Sequence, residues 1–118
     1  MPGTRTKRMH ERYQRYQKIH FRKGVCNLCD TIKSPSLKEF KYWRIVKNLF
    51  PWDRIALVQD MIIPKRHTVY EKLTVKEKKE LDRLKSGYIN EKYVVIAEAT
   101  HRKKSIPDHF HLHLIILK

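Results

Sequence analysis

Near its end the chain alternates three histidines with apolar residues: His109-Phe110-His111-Leu112-His113-Leu114. Extended backbone turns successive side chains to opposite faces. His109, His111 and His113 therefore share one face, and Phe110, Leu112 and Leu114 share the other. The two-residue repeat spaces the imidazoles by about 7 Å. Burying three imidazoles costs packing unless each finds a hydrogen-bond partner, so the row points to chemistry: a metal, a phosphate, or a nucleophile with supporting donors. Cys26 and Cys29, two residues apart, form a second feature. Such a pair suits a redox couple or half of a zinc site. A redox pair belongs at the start of a helix after a strand, a context that the residues before Cys26 do not offer. Zinc is the favoured reading, and its two further ligands must come from elsewhere. The candidates are His67 and one of the strand histidines. A third feature, Met61-Ile62-Ile63-Pro64-Lys65-Arg66-His67, is an apolar run stopped by proline. Its Lys65 and Arg66 suit substrate phosphates or an ordinary solvated surface.

These residues need elements to hold them. Tyr42–Val46 and Arg54–Ile63 read as strands, the second ended by Pro64, and Asn48–Asp53 reads as the turn between them. Lys33–Lys38 reads as a polar stretch. Thr74 and Glu77 have capping-box spacing, which predicts a helix beginning at Val75. Leu81 and Leu84 supply part of its buried face, or a homodimer interface, and Gly87 suits the position after its end. Tyr93–Ala97 is β-branched and predicts a central strand. A basic loop, His101–Ser105, leads to the histidine-bearing strand. Strands, one main helix and more strands with short loops predict an α+β fold, a mostly antiparallel sheet covered on one side by helix.

The sequence divides into a basic N-terminal arm, 1–23, and a domain over 24–118. Residues 1–24 hold eight basic side chains against one acid, Glu11. Met9, Tyr13, Tyr16 and Ile19 fall at helical spacing. The arm is expected either to dock on its own domain through that stripe or to order on a nucleic acid, with Tyr13, Tyr16, Phe21, Tyr42 and Trp43 as stacking groups. The net charge of +15 over 118 residues points to an anionic partner. No apolar run is long enough for a transmembrane helix. No secretory apolar region follows the start, so an intracellular, cytoplasmic protein is expected; an arginine-rich, acid-poor start also fits organellar import.

Together these pieces resemble the histidine-triad (HIT) family, relatives of the galactose-1-phosphate uridylyltransferases. The family's His-φ-His-φ-His-φ-φ motif, with φ apolar, is matched by His109-Phe110-His111-Leu112-His113-Leu114-Ile115. Its apolar-Ile-Pro-Lys-x-His segment is matched by Ile62-Ile63-Pro64-Lys65-Arg66-His67. Its N-terminal Cys-x-x-Cys is matched by Cys26 and Cys29, and Asn48-Leu49-Phe50-Pro51 looks like its strand–turn. The resemblance implies a HIT-like antiparallel sheet with one main helix. It implies that His111 attacks the α-phosphorus of a nucleotide ester, anhydride or phosphoramidate and becomes transiently nucleotidylated. His113 would donate a hydrogen bond to phosphate or leaving group. Cys26, Cys29, His67 and His109 would hold a structural zinc ion (Zn2+). The family's phosphate-lining segment before the triad is replaced here by Arg102–Asp108, where Ser105, Lys103 and Lys104 would serve, and Asn48 would also face substrate. Gln59-Asp60 stands where members usually carry a histidine or glycine, and the sequence ends at Lys118 where most members continue.

The resemblance thus implies a HIT-type nucleotide hydrolase, phosphoramidase or nucleotidyl transferase, acting on a nucleotide or on nucleotidylated DNA or RNA. The alternative is a zinc-stapled nucleic-acid-binding or ribonucleoprotein component on a HIT scaffold, with weak or no catalysis. HIT proteins are often dimers, so a homodimer is a further expectation.

Overall fold

The computed structural model describes residues 3–118. An N-terminal helix, α1 (Lys7–His20), precedes strands β1 (Ser36–Glu39), β2 (Trp43–Lys47) and β3 (Ala56–Pro64). Helices α2 (Val75–Ser86) and α3 (Tyr88–Lys92) follow, then β4 (Val95–Ala97) and β5 (Leu112–Leu117). The strands form one antiparallel sheet in the order β1-β2-β3-β5-β4.

Both faces of the sheet are covered, which explains why Trp43, Arg44, Ile45 and Val46 on β2 are all buried. Trp43 and Ile45 pack with Ile62, Leu112 and Leu114 against Leu81, Leu84 and Ile89 of α2 and α3. Burying each such side chain contributes about 1.5–3 kcal/mol. The indole Nε1–H of Trp43 donates to the Glu77 carbonyl, 2.8 Å away, and ties β2 to α2. On the opposite face Val46 and Ile63 pack with Leu28, and Trp52 packs with Ala56 and Ile115. β3 is central and pairs with β5 so that Met61 faces His113 and Ile62 faces Leu112.

The capping box forms as its spacing predicts. Thr74 Oγ1 accepts from the Glu77 N–H at 3.1 Å, and Glu77 Oε1 accepts from the Thr74 N–H at 2.8 Å. Gly87 ends α2 without a left-handed φ (−109°). A Cβ there would lie 3.1 Å from the Arg83 carbonyl oxygen, a tight approach that glycine avoids. Leu81 and Leu84 belong to the chain's own core.

Three expectations are corrected. Tyr93–Ala97 contains the edge strand β4, not a central one. The polar stretch ends in a strand, β1, at the opposite edge. The ladder of β5 starts only at Leu112, so His109 and His111 precede the strand, in a segment anchored where the Phe110 N–H donates to the Thr68 carbonyl at 2.7 Å. The alternation of faces holds across that boundary: Phe110, Leu112 and Leu114 lie in the helix-side core.

Candidate active site

Two groups of side chains meet on the sheet face away from α2. The first is Cys26, Cys29, His67 and His109, whose sulfur and nitrogen atoms all lie within 4.8 Å of one another. His109 Nδ1 is 3.4 Å from Cys26 Sγ, 3.3 Å from Cys29 Sγ and 3.2 Å from His67 Nδ1, and Cys29 Sγ is 3.2 Å from His67 Nδ1. Ligands of a tetrahedral zinc ion lie about 3.3–3.8 Å apart. Hydrogen bonds alone do not account for the cluster. His109 Nε2 lies 3.0 Å from the Pro64 carbonyl, which places its proton on Nε2 and leaves a bare lone pair on Nδ1. His67 Nε2 faces Asp108 Oδ2 at 3.5 Å, which favours the same tautomer. Two bare ring nitrogens 3.2 Å apart repel unless a cation lies between them. The cluster can hold a metal ion, its two thiol and two imidazole donors suit zinc, and the outer partners Pro64 and Asp108 orient the rings as metal-bound histidines require.

The cysteine turn is held from the sheet. Buried Arg44 donates from Nη2 to the Leu28 carbonyl at 2.6 Å and from Nη1 to the Ser34 carbonyl at 2.5 Å. These charge-assisted bonds satisfy turn carbonyls on either side of Cys29.

The second group is His111 and His113. His111 Nδ1 lies 2.9 Å from the His109 carbonyl oxygen, so Nδ1–H donates to it and Nε2 keeps its lone pair. His113 is fixed differently. Gln59 Oε1 accepts from the Trp52 N–H at 2.6 Å, which orients the amide so that its Nε2 donates to His113 Nδ1 at 2.9 Å. The His113 proton therefore sits on Nε2. Burial lowers the basicity of all three triad histidines and pushes His113 down to about 3. His113 also lies against the Trp52 ring, 4.7 Å between centroids. One imidazole offers an electron pair at Nε2 and its neighbour a proton at Nε2, a pairing suited to attack on an electrophile carrying negatively charged oxygen.

Both histidines line a pocket bounded by Asn48, Ser105, Lys103 and Lys104 and covered by α1. The segment before α1 is stitched to the turn between β2 and β3. Thr6 donates from N–H to Asp53 Oδ1 at 2.8 Å and from its hydroxyl to Oδ2 at 2.7 Å, and the Arg54 N–H donates to the Thr4 carbonyl at 3.1 Å. Arg5 Nε donates to the Phe50 carbonyl at 2.8 Å. The rings of Tyr13 and Tyr16 pack on Phe50 at 5.4 and 4.9 Å, and the Tyr13 hydroxyl bonds Ser105 Oγ. The helical stripe docks as its spacing predicts for Tyr13 and Tyr16. Ile19 is 59% exposed, and Phe21 takes its place beside the tyrosines.

No family model matches the sequence, and no curated protein does. A solved structure does match: a HIT family hydrolase from Clostridium thermocellum, 22% identical, aligned over 78% of this chain and 90% of that one, with a TM-score of 0.54. The fold is HIT-like.

Within this HIT-like fold, the four residues expected to hold zinc come together, and His111 and His113 share one pocket with Ser105, Lys103, Lys104 and Asn48. Lys104 is already ion-paired to Glu98. Asn48 Oδ1 accepts from the Phe50 N–H at 3.0 Å, which leaves its amide nitrogen for another partner. Arg66 turns away from the pocket to pair with Glu77 at 2.7 Å. Trp43 is fully buried and so is no stacking platform, while Tyr42 packs in part against the same core. Sequence reasoning missed Gln59, Trp52, Arg44 and Arg5. The one signal for Gln59 was its departure from the residue usual at that position.

Among the described residues no helix is long and apolar enough to cross a membrane.

Proposed function

We propose that the chain cleaves nucleotidyl substrates at the α-phosphorus by covalent catalysis at His111. The observation that carries this reading is the His109 carbonyl at 2.9 Å from His111 Nδ1, which leaves Nε2 as an unprotonated nucleophile in a pocket shared with the donor His113. His111 Nε2 forms an N–P bond as the bond from phosphorus to the leaving group breaks, and the leaving group departs with that electron pair. Water then attacks phosphorus, the N–P bond breaks, and its electrons return to Nε2 as the water gives up a proton to solvent. An acceptor hydroxyl in place of water makes the same step a nucleotidyl transfer. His113 Nε2–H donates to the phosphoryl oxygens as charge develops, helped by Ser105 and by the Lys103 charge. Asn48 offers its free amide N–H to the nucleotide. Splitting one displacement into two is the gain that covalent catalysis provides.

Cys26, Cys29, His67 and His109 would hold zinc. A filled four-ligand site leaves no open position, so the ion would supply folding stability. It would also brace the triad, because His109 supplies both a ligand and the carbonyl that orients His111.

The exposed Lys7, Arg8, Arg12, Arg15 and Lys18 on α1 support a polyanionic substrate such as a nucleotidylated nucleic acid. The inward-turned tyrosines and the buried Trp43 weigh against a purely nucleic-acid-binding scaffold, which needs exposed stacking rings. Incubation with ATP radiolabelled at the α-phosphate, or with an oligonucleotide carrying labelled 5′-adenylate, tests the reading. Acid-labile label on the wild type and none on His111→Ala is expected. Equal labelling of both, or of neither in folded protein, contradicts it.

A further inference from the structure

His111 keeps only 6% of its surface exposed and His113 only 7%, and the N-terminal arm closes the pocket over them. We infer that this arm is a releasable lid: α1 shuts the triad pocket, a latch between Thr6 and Asp53 holds it, and substrate reaches His111 only when the latch opens. The inference takes the pocket as the substrate site from the reading above and adds how that site is regulated.

The closed arm leaves too little room for a nucleotide. Arg5, Tyr13, Tyr16 and Phe21 line, with His111 and His113, a space of about 120 Å³. Sites that take small organic molecules span about 300–1,000 Å³. The arm also engages a hydroxyl on the opposite wall, because the Tyr13 hydroxyl bonds Ser105 Oγ. A nucleotide that enters must displace this contact and move the helix that makes it.

The lid is held at few points. α1 contributes no buried side chain, and its tyrosines pack on Phe50, in a turn of the chain. At the leading end, the Asp53 carboxylate accepts from the Thr6 N–H at 2.8 Å and from the Thr6 hydroxyl at 2.7 Å. Both bonds are exposed, and the same carboxylate attracts Arg5. Arg5 Nε adds a bond to the Phe50 carbonyl at 2.8 Å. At the trailing end the arm stays tethered. It runs through Gly24, whose φ of +80° glycine adopts readily, into the cysteine turn, where Asn27 Nδ2 donates to the His20 carbonyl at 3.3 Å. Segments with few buried apolar contacts and exposed hydrogen bonds open at a free energy well below that of global unfolding. The latch can therefore release while the sheet stays folded.

The test reads the access of solvent to His111 and needs no substrate. Diethyl pyrocarbonate acylates imidazole nitrogens that it can reach, and peptide mass spectrometry follows its rate at His111 against the exposed His10 and His101. Asp53→Ala removes both latch acceptors, and Thr6→Val removes the hydroxyl on the other side. Modification of His111 in full-length Asp53→Ala is expected to run about tenfold faster than in wild type, the effect of losing hydrogen bonds to a charged acceptor. Thr6→Val and Asp53→Asn are expected to fall between, with the rates at His10 and His101 unchanged. Melting temperatures within a few degrees of wild type establish that each variant folds. An unchanged His111 rate in folded Asp53→Ala and Thr6→Val overturns the lid, whatever label ATP transfers. Label from α-phosphate-radiolabelled ATP separates the two readings: it is expected to reach Asp53→Ala faster than wild type. A His111 that becomes accessible but takes no label leaves the lid standing and contradicts the covalent reading.

Discussion

The His109 carbonyl oxygen lies 2.9 Å from His111 Nδ1, while the same histidine's ring points into the sulfur–nitrogen cluster. One residue therefore belongs to both halves of the site. Its side chain joins a cluster that could hold a metal ion and so staple the cysteine turn to the sheet, and its backbone carbonyl accepts from His111 Nδ1. Loss of the cluster should loosen the nucleophile as well as the fold.

Cys26→Ser is accordingly expected to release zinc and lower the melting temperature by about 10 °C, since losing one ligand costs about 3 kcal/mol or more and each kcal/mol moves Tm by roughly 3–5 °C at this chain length. Metal analysis of the purified protein and a melt with and without chelator check this. Wild type free of metal, with a Tm unchanged by Cys26→Ser, contradicts the cluster's assignment.

Acid should destabilise the fold in a way that His113 explains in part. Its folded pKa is pushed down to about 3 from an ordinary 6.5, because burial disfavours the cation. The unfolded chain then binds the proton more readily than the folded one. This contribution is present in full above pH 6.5 and is lost as pH falls from there toward 3. Urea midpoints at pH 7.5 and 5.0 should fall further for wild type than for His113→Asn, both proteins sharing whatever acid does to the metal cluster. Equal falls would remove His113 as a cause.

Away from the site, Glu77 closes the α2 capping box and accepts from Arg66 at 2.7 Å. The Arg66 hydrogen bond holds its carboxyl below the usual range, so this contribution is present at neutral pH and lost as pH falls through the lowered pKa. Glu77→Ala is expected to cost about 1 kcal/mol, the usual worth of a cap, and to leave His111 labelling intact. A loss of labelling in folded Glu77→Ala would mean that α2 acts on the site.

What was legible in the sequence was local. The triad's alternation and the Thr74–Glu77 cap are properties of neighbouring residues, and both appear as read. β1 escaped because all four of its residues are exposed and show no apolar alternation. Tyr93–Ala97 was misplaced because β-branched composition reports a packed surface, not a position in the strand order. Gln59 lies 54 residues from His113 in sequence, and Arg44 lies 16 from Leu28; only the folded sheet brings each pair together. Arg5 reaches the pocket only because a helical arm folds back over it, which a helical stripe suggests but does not aim.

The most direct test of the central claim is transfer of label from α-phosphate-radiolabelled ATP to the purified protein, with His111→Ala and His113→Ala beside it. The covalent account predicts acid-labile label on wild type, none on His111→Ala, and slower labelling of His113→Ala. Label that persists on folded His111→Ala, or zinc-loaded wild type that takes up none from ATP or from an adenylylated oligonucleotide, would contradict it.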